Sequence, residues 1–512
     1  MKVPRKRTIT DNQNQGWGAS RIPLQFLQAS EEDGLSRTSE IPLKRIAILG
    51  NYLPRQCGIA TFTGDLACTL SSLDCDLATH VVAMSDQAGY DYPERVRHEI
   101  QDDEPTAYSL AADFLNRSRY DVLSVQHEYG IFGGEAGSYL MELVRRVKMP
   151  IVTTLHTVLE EPSKSQRETM DELLQVSGRV VVMSQKAVDF LIGIHGTSRD
   201  KIDLIPHGIP NISKIKGLEF RSTLDIDGPL ILTFGLLSPD KGIQFVIQAL
   251  PRVLKQHPGS TYVVVGATHP KVRASVGEIY RESLLKLASD LGIAANVRFV
   301  DRFVATEELV DYLGAMDFYV TPYLNPKQIT SGPLAYAVGA GKAVISTPYW
   351  YAQELLAEGR GQLVPFGDAT AISDAVLSIL HDPESSREMG RRAAEHGRQM
   401  LWPEVGRKYL ASFARAKRES AKSKVVPVLK PWPILDSLVH FLDSPVSGTR
   451  IPAQLGPLVD WSVHAPRCDN DLHRHQSVES VRNRGIDVGQ AAPGAFVQIG
   501  EQGDTKNRLT ED

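Results

Sequence analysis

Three short segments hold residues whose types and spacing suit a phosphate-bearing ligand. In Phe234-Gly-Leu-Leu-Ser-Pro-Asp-Lys-Gly242 an apolar run ends at Gly235, a Ser-Pro-Asp turn follows, and Lys241 stands at the start of a helical stretch. A cation beside the free N–H groups of a helix start is a good seat for a diphosphate. In Gln328-Ile-Thr-Ser-Gly-Pro-Leu-Ala-Tyr336, residues Thr330, Ser331 and Gly332 precede Pro333, so the segment reads as an N-capped helix start. The amides of 331–334 would then meet the same ligand, and Gly339 and Gly341 close the helix. In Asn51-Tyr-Leu-Pro-Arg-Gln-Cys-Gly58, Pro54 and Gly58 make a turn ahead of another helix, whose free N–H groups would also face a ligand. Taken singly, these segments also fit a surface lysine after a turn and a plain strand-to-helix connection.

Other groups with chemical potential keep two readings each. His127 and Glu128 end an apolar run and precede Gly130, Gly133 and Gly134; they suit a general base, or a structural or acceptor-positioning role. His207 follows Ile205-Pro206 near a domain crossover, where it touches ligand or only packs. Glu354 opens a cleft helix, where a carboxylate also simply complements the dipole. Cys57, Cys68, Cys75 and Cys468 lack paired metal spacing; they read as packing residues in a reducing cytoplasm, with no metal site expected. No carboxylate pair stands at glycosidase-like positions. Neither glycine turn is GxGxxG, which disfavours a dinucleotide oxidoreductase.

The elements that must position these groups alternate regularly. Apolar runs at 46–52, 79–85, 120–128, 150–157, 179–184 and 201–206 are separated by amphipathic stretches such as Gly58–Leu73. A second series follows at 229–237, 261–267, 296–300, 317–323, 342–348 and 361–366, with helices such as 242–255 and 276–291 between. Continuous apolar strands alternating with helices mean parallel sheets covered on both faces. The fold class is α/β, with two Rossmann-like doubly wound domains in tandem and a cleft at the C-terminal strand ends. The expected divisions are a disordered lead-in at 1–42, a first domain at 43–215, a second at 216–402, and a helix at 403–418 packing back on the first domain. The tail at 419–512 reads as largely disordered, with some apolar content at 430–463.

Bulk properties agree. A chain of 512 residues exceeds one compact core. A net charge of −5 argues against a nucleic-acid binder. No apolar run reaches the length of a spanning helix, and the basic N-terminus lacks a signal peptide's apolar core. Peripheral contact with a membrane stays open, as does oligomeric state.

Together the segments resemble the group 1 retaining glycosyltransferases (glycosyltransferase family 4), which have the GT-B fold. The resemblance covers about residues 44–418 and rests on LLSPDKGI (236–243), VVVGATHP (263–270), MDFYVTPY (316–323), SGPLAYAVGAGKAVISTP (331–348) and QELLAEGRGQLVPFGD (353–368), in order. PRQCGIATFTGDL (54–66), VQHEYGIFGG (125–134) and VTTLHT (152–157) carry it in the first domain. The resemblance implies transfer of a hexosyl group from a nucleotide-sugar donor to the hydroxyl of a carbohydrate or glycoconjugate acceptor, with retention and with no metal or other cofactor. It implies that Lys241 neutralises the donor diphosphate, His156 lies near the donor sugar, the Gly58 loop borders donor and acceptor, and Val300 and Arg302 frame the base. Two departures stand out. Leu236 occupies the family's usual arginine position, and Gln328 and Tyr336 replace two glutamates. Gln328 can still bond sugar hydroxyls and Tyr336 a ribose. Lys327 or Arg302 would supply the missing charge. A sugar-nucleotide epimerase and a catalytically weak nucleotide-sugar binder are the rival readings.

Overall fold

The computed structural model describes residues 42–87, 89–212 and 214–424. The expectations for the lead-in through residue 41 and for the tail from 425, with its apolar stretch at 430–463, lie outside the described residues.

The first apolar series forms a seven-stranded parallel sheet: β1 (Arg45–Asn51), β2 (Ala78–Ser85), β3 (Val96–Gln101), β4 (Val122–His127), β5 (Ile151–Leu155), β6 (Arg179–Val182) and β7 (Ile202–Leu204). Its strand order is β3-β2-β1-β4-β5-β6-β7. The second series forms a six-stranded parallel sheet from β8 (Leu230–Phe234), β9 (Thr261–Val265), β10 (Val297–Val300), β11 (Phe318–Thr321), β12 (Ala343–Ser346) and β13 (Gln362–Leu363), in the order β10-β9-β8-β11-β12-β13. The central strands are buried on both faces, which is why they read as unbroken apolar runs. Along β1, Ile46 and Ile48 enter one core with Leu66 and Leu70, while Ala47 and Leu49 enter the other with Leu123 and Val125.

The helix Trp402–Lys424 returns to the first domain. Trp402, Val405, Tyr409 and Phe413 join the core that Ile46 and Ile48 line. The Tyr409 hydroxyl lies 3.0 Å from Thr154 Oγ1, and Lys417 Nζ donates to Asp121 at 2.6 Å. The helix runs six residues past the expected end at 418, through Lys424. Across the boundary expected between 215 and 216 the chain forms a further helix, Lys214–Arg221. No helix among the described residues is long and apolar enough to cross a membrane.

Candidate active site

In each sheet the strand order reverses once, between β1 and β4 and between β8 and β11. Ligands of doubly wound sheets bind at such switch points, beyond the carboxyl ends of the strands. The loops leaving these strands carry the segments singled out above.

In the second domain, two loops are sewn together by main-chain bonds. Gly235 N–H donates to Val265 O, Leu237 N–H to Ala267 O, and His269 N–H to Leu237 O, all at 2.8–2.9 Å. The crossing is close enough that a Cβ on Gly266 would stand 2.0 Å from Gly235 O. Gly242 then turns the chain with φ 65° into the helix Ile243–Leu254, where a Cβ would meet Pro322 O at 2.1 Å. This frame holds Lys241 with its Nζ 4.1 Å from the Tyr323 ring centroid and 3.5 Å from Asp240. Its side chain is 22% exposed, so the ammonium is sheltered yet reachable.

Ser331 caps the helix Gly332–Gly339, its Oγ accepting from Leu334 N–H at 3.3 Å. This corrects the expectation for the amides of 331–334. Leu334 is spent on the cap and Pro333 has no N–H, so Ser331 and Gly332 are the amides left for a ligand. Thr330 precedes them, half-buried, and its carbonyl accepts from Gln328 Nε2 at 2.6 Å. Val300 ends β10 with its carbonyl accepting from Gly266 and Arg302 N–H groups. Both proposed substitute cations are already paired: Arg302 in a two-pronged bridge with Glu308, and Lys327 with Glu160 and Glu161 of the first domain.

In the first domain, Gly58 opens the helix Gly58–Leu73 and has nothing within 4 Å of where a side chain would start. Cys57 caps this helix through Sγ, which accepts from Ala60 N–H at 3.4 Å and Asn51 Nδ2 at 3.2 Å. His156 Nε2 lies 3.1 Å from Gln126 Oε1, whose amide N–H is turned to Ser124. An amide oxygen only accepts, so His156 carries its proton on Nε2 and offers Nδ1 as an acceptor. Burial, with His207 and His127 nearby, pushes its pKa down to about 3, so the ring is neutral. Glu128 accepts from Thr157 Oγ1 and from Tyr129 N–H at 3.1 Å, and burial holds its carboxyl above the usual range.

Two sequence expectations change. His127 is fully buried, edge-on to Tyr129 and stacked at 5.9 Å on Phe132, so it does not line the acceptor side. Tyr336 is 6% exposed and its hydroxyl donates to Asp65 of the first domain at 3.1 Å, so it is committed across the domain boundary instead of open to a ribose.

Phe62 and Asp65, missed from sequence, draw the two halves together with His207 and Glu354, whose roles the sequence left open. His207 Nε2 stands 3.1 Å from the Cβ position of Gly332. Its ring meets Phe62 at 5.1 Å, and Phe62 meets His156 at 4.9 Å. A continuous aromatic path therefore joins His156 to the helix start at Gly332. Asp65 lies seven residues after Gly58, on the same helix face, and that period was its available signal. Glu354 was read only as a ligand or dipole residue of its own helix. Its carboxylate instead caps the first-domain helix Gln185–Gly193, accepting from Gln185 N–H at 2.8 and 2.9 Å.

Two doubly wound domains facing across a cleft, with a cation and a helix start on one side and a neutral histidine on the other, define a GT-B glycosyltransferase architecture. Solved structures share it. HepE from Anabaena, in complex with UDP, aligns with a TM-score of 0.57 at 17% identity, over 74% of this chain and all of that one. Sucrose-phosphate synthase from Thermosynechococcus elongatus aligns at 0.58 and 17%, with 74% and 100% covered. Among relatives, D-inositol 3-phosphate glycosyltransferase of Corynebacterium efficiens is 26% identical over 317 residues, 58% of this chain and 72% of that protein. A GDP-mannose-dependent mannosyltransferase of Mycolicibacterium smegmatis is 29% identical over 170 residues, 32% and 42% of the two chains. Residues 216–396 match the family described as glycosyl transferases group 1, and residues 57–211 match glycosyltransferase family 4. The chain belongs to the group 1 glycosyltransferases and is a glycosyltransferase.

Proposed function

We propose that this enzyme transfers a hexosyl group from a nucleotide-sugar donor to a polyol or sugar hydroxyl, with retention of configuration and without a metal ion. The reading is carried by two loops that meet where the Gly235 Cβ position is 3.6 Å from Pro333: one bears the sheltered Lys241, the other the free amides at Ser331 and Gly332, joined through His207 and Phe62 to His156. Negative charge grows on the departing diphosphate in an oxocarbenium-like transition state. Fixed donors and a sheltered ammonium stabilise that charge most where water is excluded. His156, neutral and held by Gln126, can orient a donor-sugar hydroxyl through Nδ1 but has no proton to spare at neutral pH. The acceptor proton would then pass to a donor phosphate oxygen on the same face, which is consistent with retention.

The names of the relatives make inositol-bearing acceptors and GDP-mannose sensible first substrates. A thermal-shift panel of UDP, GDP and ADP with their sugar conjugates tests the reading, followed by product analysis with acceptor and with donor alone. One nucleotide should stabilise the protein, EDTA should leave transfer intact, and Lys241→Ala should lower kcat/KM by about 10-fold or more. Epimerised donor in the absence of acceptor would favour a sugar-nucleotide epimerase. No shift with any nucleotide would sink the assignment.

A further inference from the structure

We propose that Lys271 is a second phosphate-binding cation of the cleft, acting with Lys241 on the donor diphosphate. The inference rests on the nucleotide-sugar reading above and names a residue that reading does not use. A diphosphate leaving group brings more negative charge than one ammonium neutralises, so a donor site with Lys241 alone would leave charge unpaired in a sheltered cleft.

The other cations around the second-domain strand ends are committed. Arg302 is bridged to Glu308, Lys327 to Glu160 and Glu161, Arg273 to Glu278, and Arg281 to Glu278 and Asp301. Lys271 differs. Its main-chain N–H donates to His269 Nδ1 at 3.2 Å, while its Nζ closes no ion pair with any carboxylate among the described residues. Its ammonium reaches across to the first domain, to the loop that carries Gly130.

Its backbone is fixed relative to Lys241. The loop that carries it, 266–271, is the one sewn to the Lys241 loop through Leu237, Ala267 and His269. His269 joins the two loops, its N–H donating to Leu237 O and its Nδ1 accepting from Lys271 N–H; burial, then the charges of both lysines, depress its pKa. From that base the Lys271 side chain reaches the first-domain glycine loop, where its Nζ is 3.3 Å from the Cβ position of Gly130. Gly130 leaves the space that the ammonium occupies. A fixed base on the loop joined to that of Lys241, and a head without an ion pair, make Lys271 the second cation available to a diphosphate held by Lys241.

The test is calorimetric titration of the full-length wild type, Lys271→Ala and Lys271→Arg with UDP, GDP and ADP, and with uridine, guanosine and adenosine. Lys271 is exposed, so its truncation leaves the fold intact. The diphosphate that binds the wild type should bind Lys271→Ala at least about tenfold more weakly, and the matching nucleoside should bind both equally. Lys271→Arg should recover most of the loss. Equal diphosphate affinity in wild type and Lys271→Ala overturns the inference and leaves the function standing. An equal loss for nucleoside and diphosphate also overturns it, because it marks a general disturbance of the cleft. If the wild type binds none of the three diphosphates, the functional reading and this inference fail together.

Discussion

Tyr336 and Asp65 meet across the domain boundary in a way that neither residue alone would predict. Burial pushes the Asp65 carboxyl up to about 6, and the Tyr336 hydrogen bond works against that rise. Tyr336→Phe removes the donor from a half-buried carboxylate, which should lower stability by about 1–3 kcal/mol and move the Asp65 titration upward. Chemical denaturation and carbon-13 NMR of the carboxyl would check both. Tyr336→Glu restores the residue usual in the family at that position but sets a second carboxylate against Asp65. Its stability should therefore suffer more at pH 8 than at pH 5. A Tyr336→Glu protein as stable as wild type at pH 8 would show that the Tyr336–Asp65 contact is not maintained in solution.

At the scale of elements, the helix Gln185–Gly193 of the first domain is capped by a carboxylate from the second. Its own N-cap, Ser184, accepts from Ala187 N–H, so Glu354 takes the amides of Gln185 and Lys186 that Ser184 leaves. Lys186 also lies 5.4 Å over the Trp350 ring, and Lys327 bridges to Glu160 and Glu161 beside it. These contacts clasp the two domains together. Glu354→Gln keeps an acceptor but removes the charge, a loss of about 0.3–1 kcal/mol at a helix terminus. The closed-to-open ratio should fall by about two- to fivefold. Energy transfer between dyes on the two domains would report it, and unchanged transfer would rule out a clasp.

The alternation of strands and helices was legible because buried parallel strands are apolar on both faces. β3 was not. Val-Arg-His-Glu-Ile-Gln has one fully buried residue, Ile100, since an edge strand needs only one covered face. The helix start at Ser331 was legible through local cap chemistry, as was the seat of Lys241. Glu354, Asp65 and Lys327 were not, because their partners lie more than 160 residues away in sequence. Spacing along one element cannot show which groups the other domain brings to it. His127 was misplaced for a related reason: a histidine at a strand end looks the same whether the following loop exposes it or, as Tyr129 and Phe132 do here, folds over it.

The whole molecule carries a pH dependence set by its buried histidines. His127, His156 and His207 are buried, and burial pushes their pKa values down to about 4, 3 and 4. In the unfolded chain each would bind a proton below about pH 6.5. Between that value and the folded pKa the unfolded state holds more protons, so stability is present above about pH 6.5 and drains away as the pH falls. Asp65 acts in the opposite sense. Its pKa is raised to about 6, so between the ordinary carboxylate range and that value the folded state holds the extra proton and acid favours it. Burial raises the Glu128 and Asp102 carboxyls in the same sense as Asp65, but it also lowers His80, His98, His269 and His396, so seven histidines oppose three carboxyls and the enzyme should lose stability steadily from about pH 6.5 to pH 4. His127→Phe isolates one contribution. Neither ring nitrogen has a partner among the described residues, and phenylalanine can keep the stack on Phe132. Stability at pH 7 should change by about 1 kcal/mol or less, while the slope between pH 4.5 and 6 falls by about 1.4 kcal/mol per pH unit. Denaturant titrations across that range would measure it, and an unaltered slope would mean that His127 titrates alike in both states. His156 and His207 sit on the aromatic path between the domains, so their protonation at low pH should break the seam before either sheet unfolds. Donor affinity would then be lost at a higher pH than the helical signal.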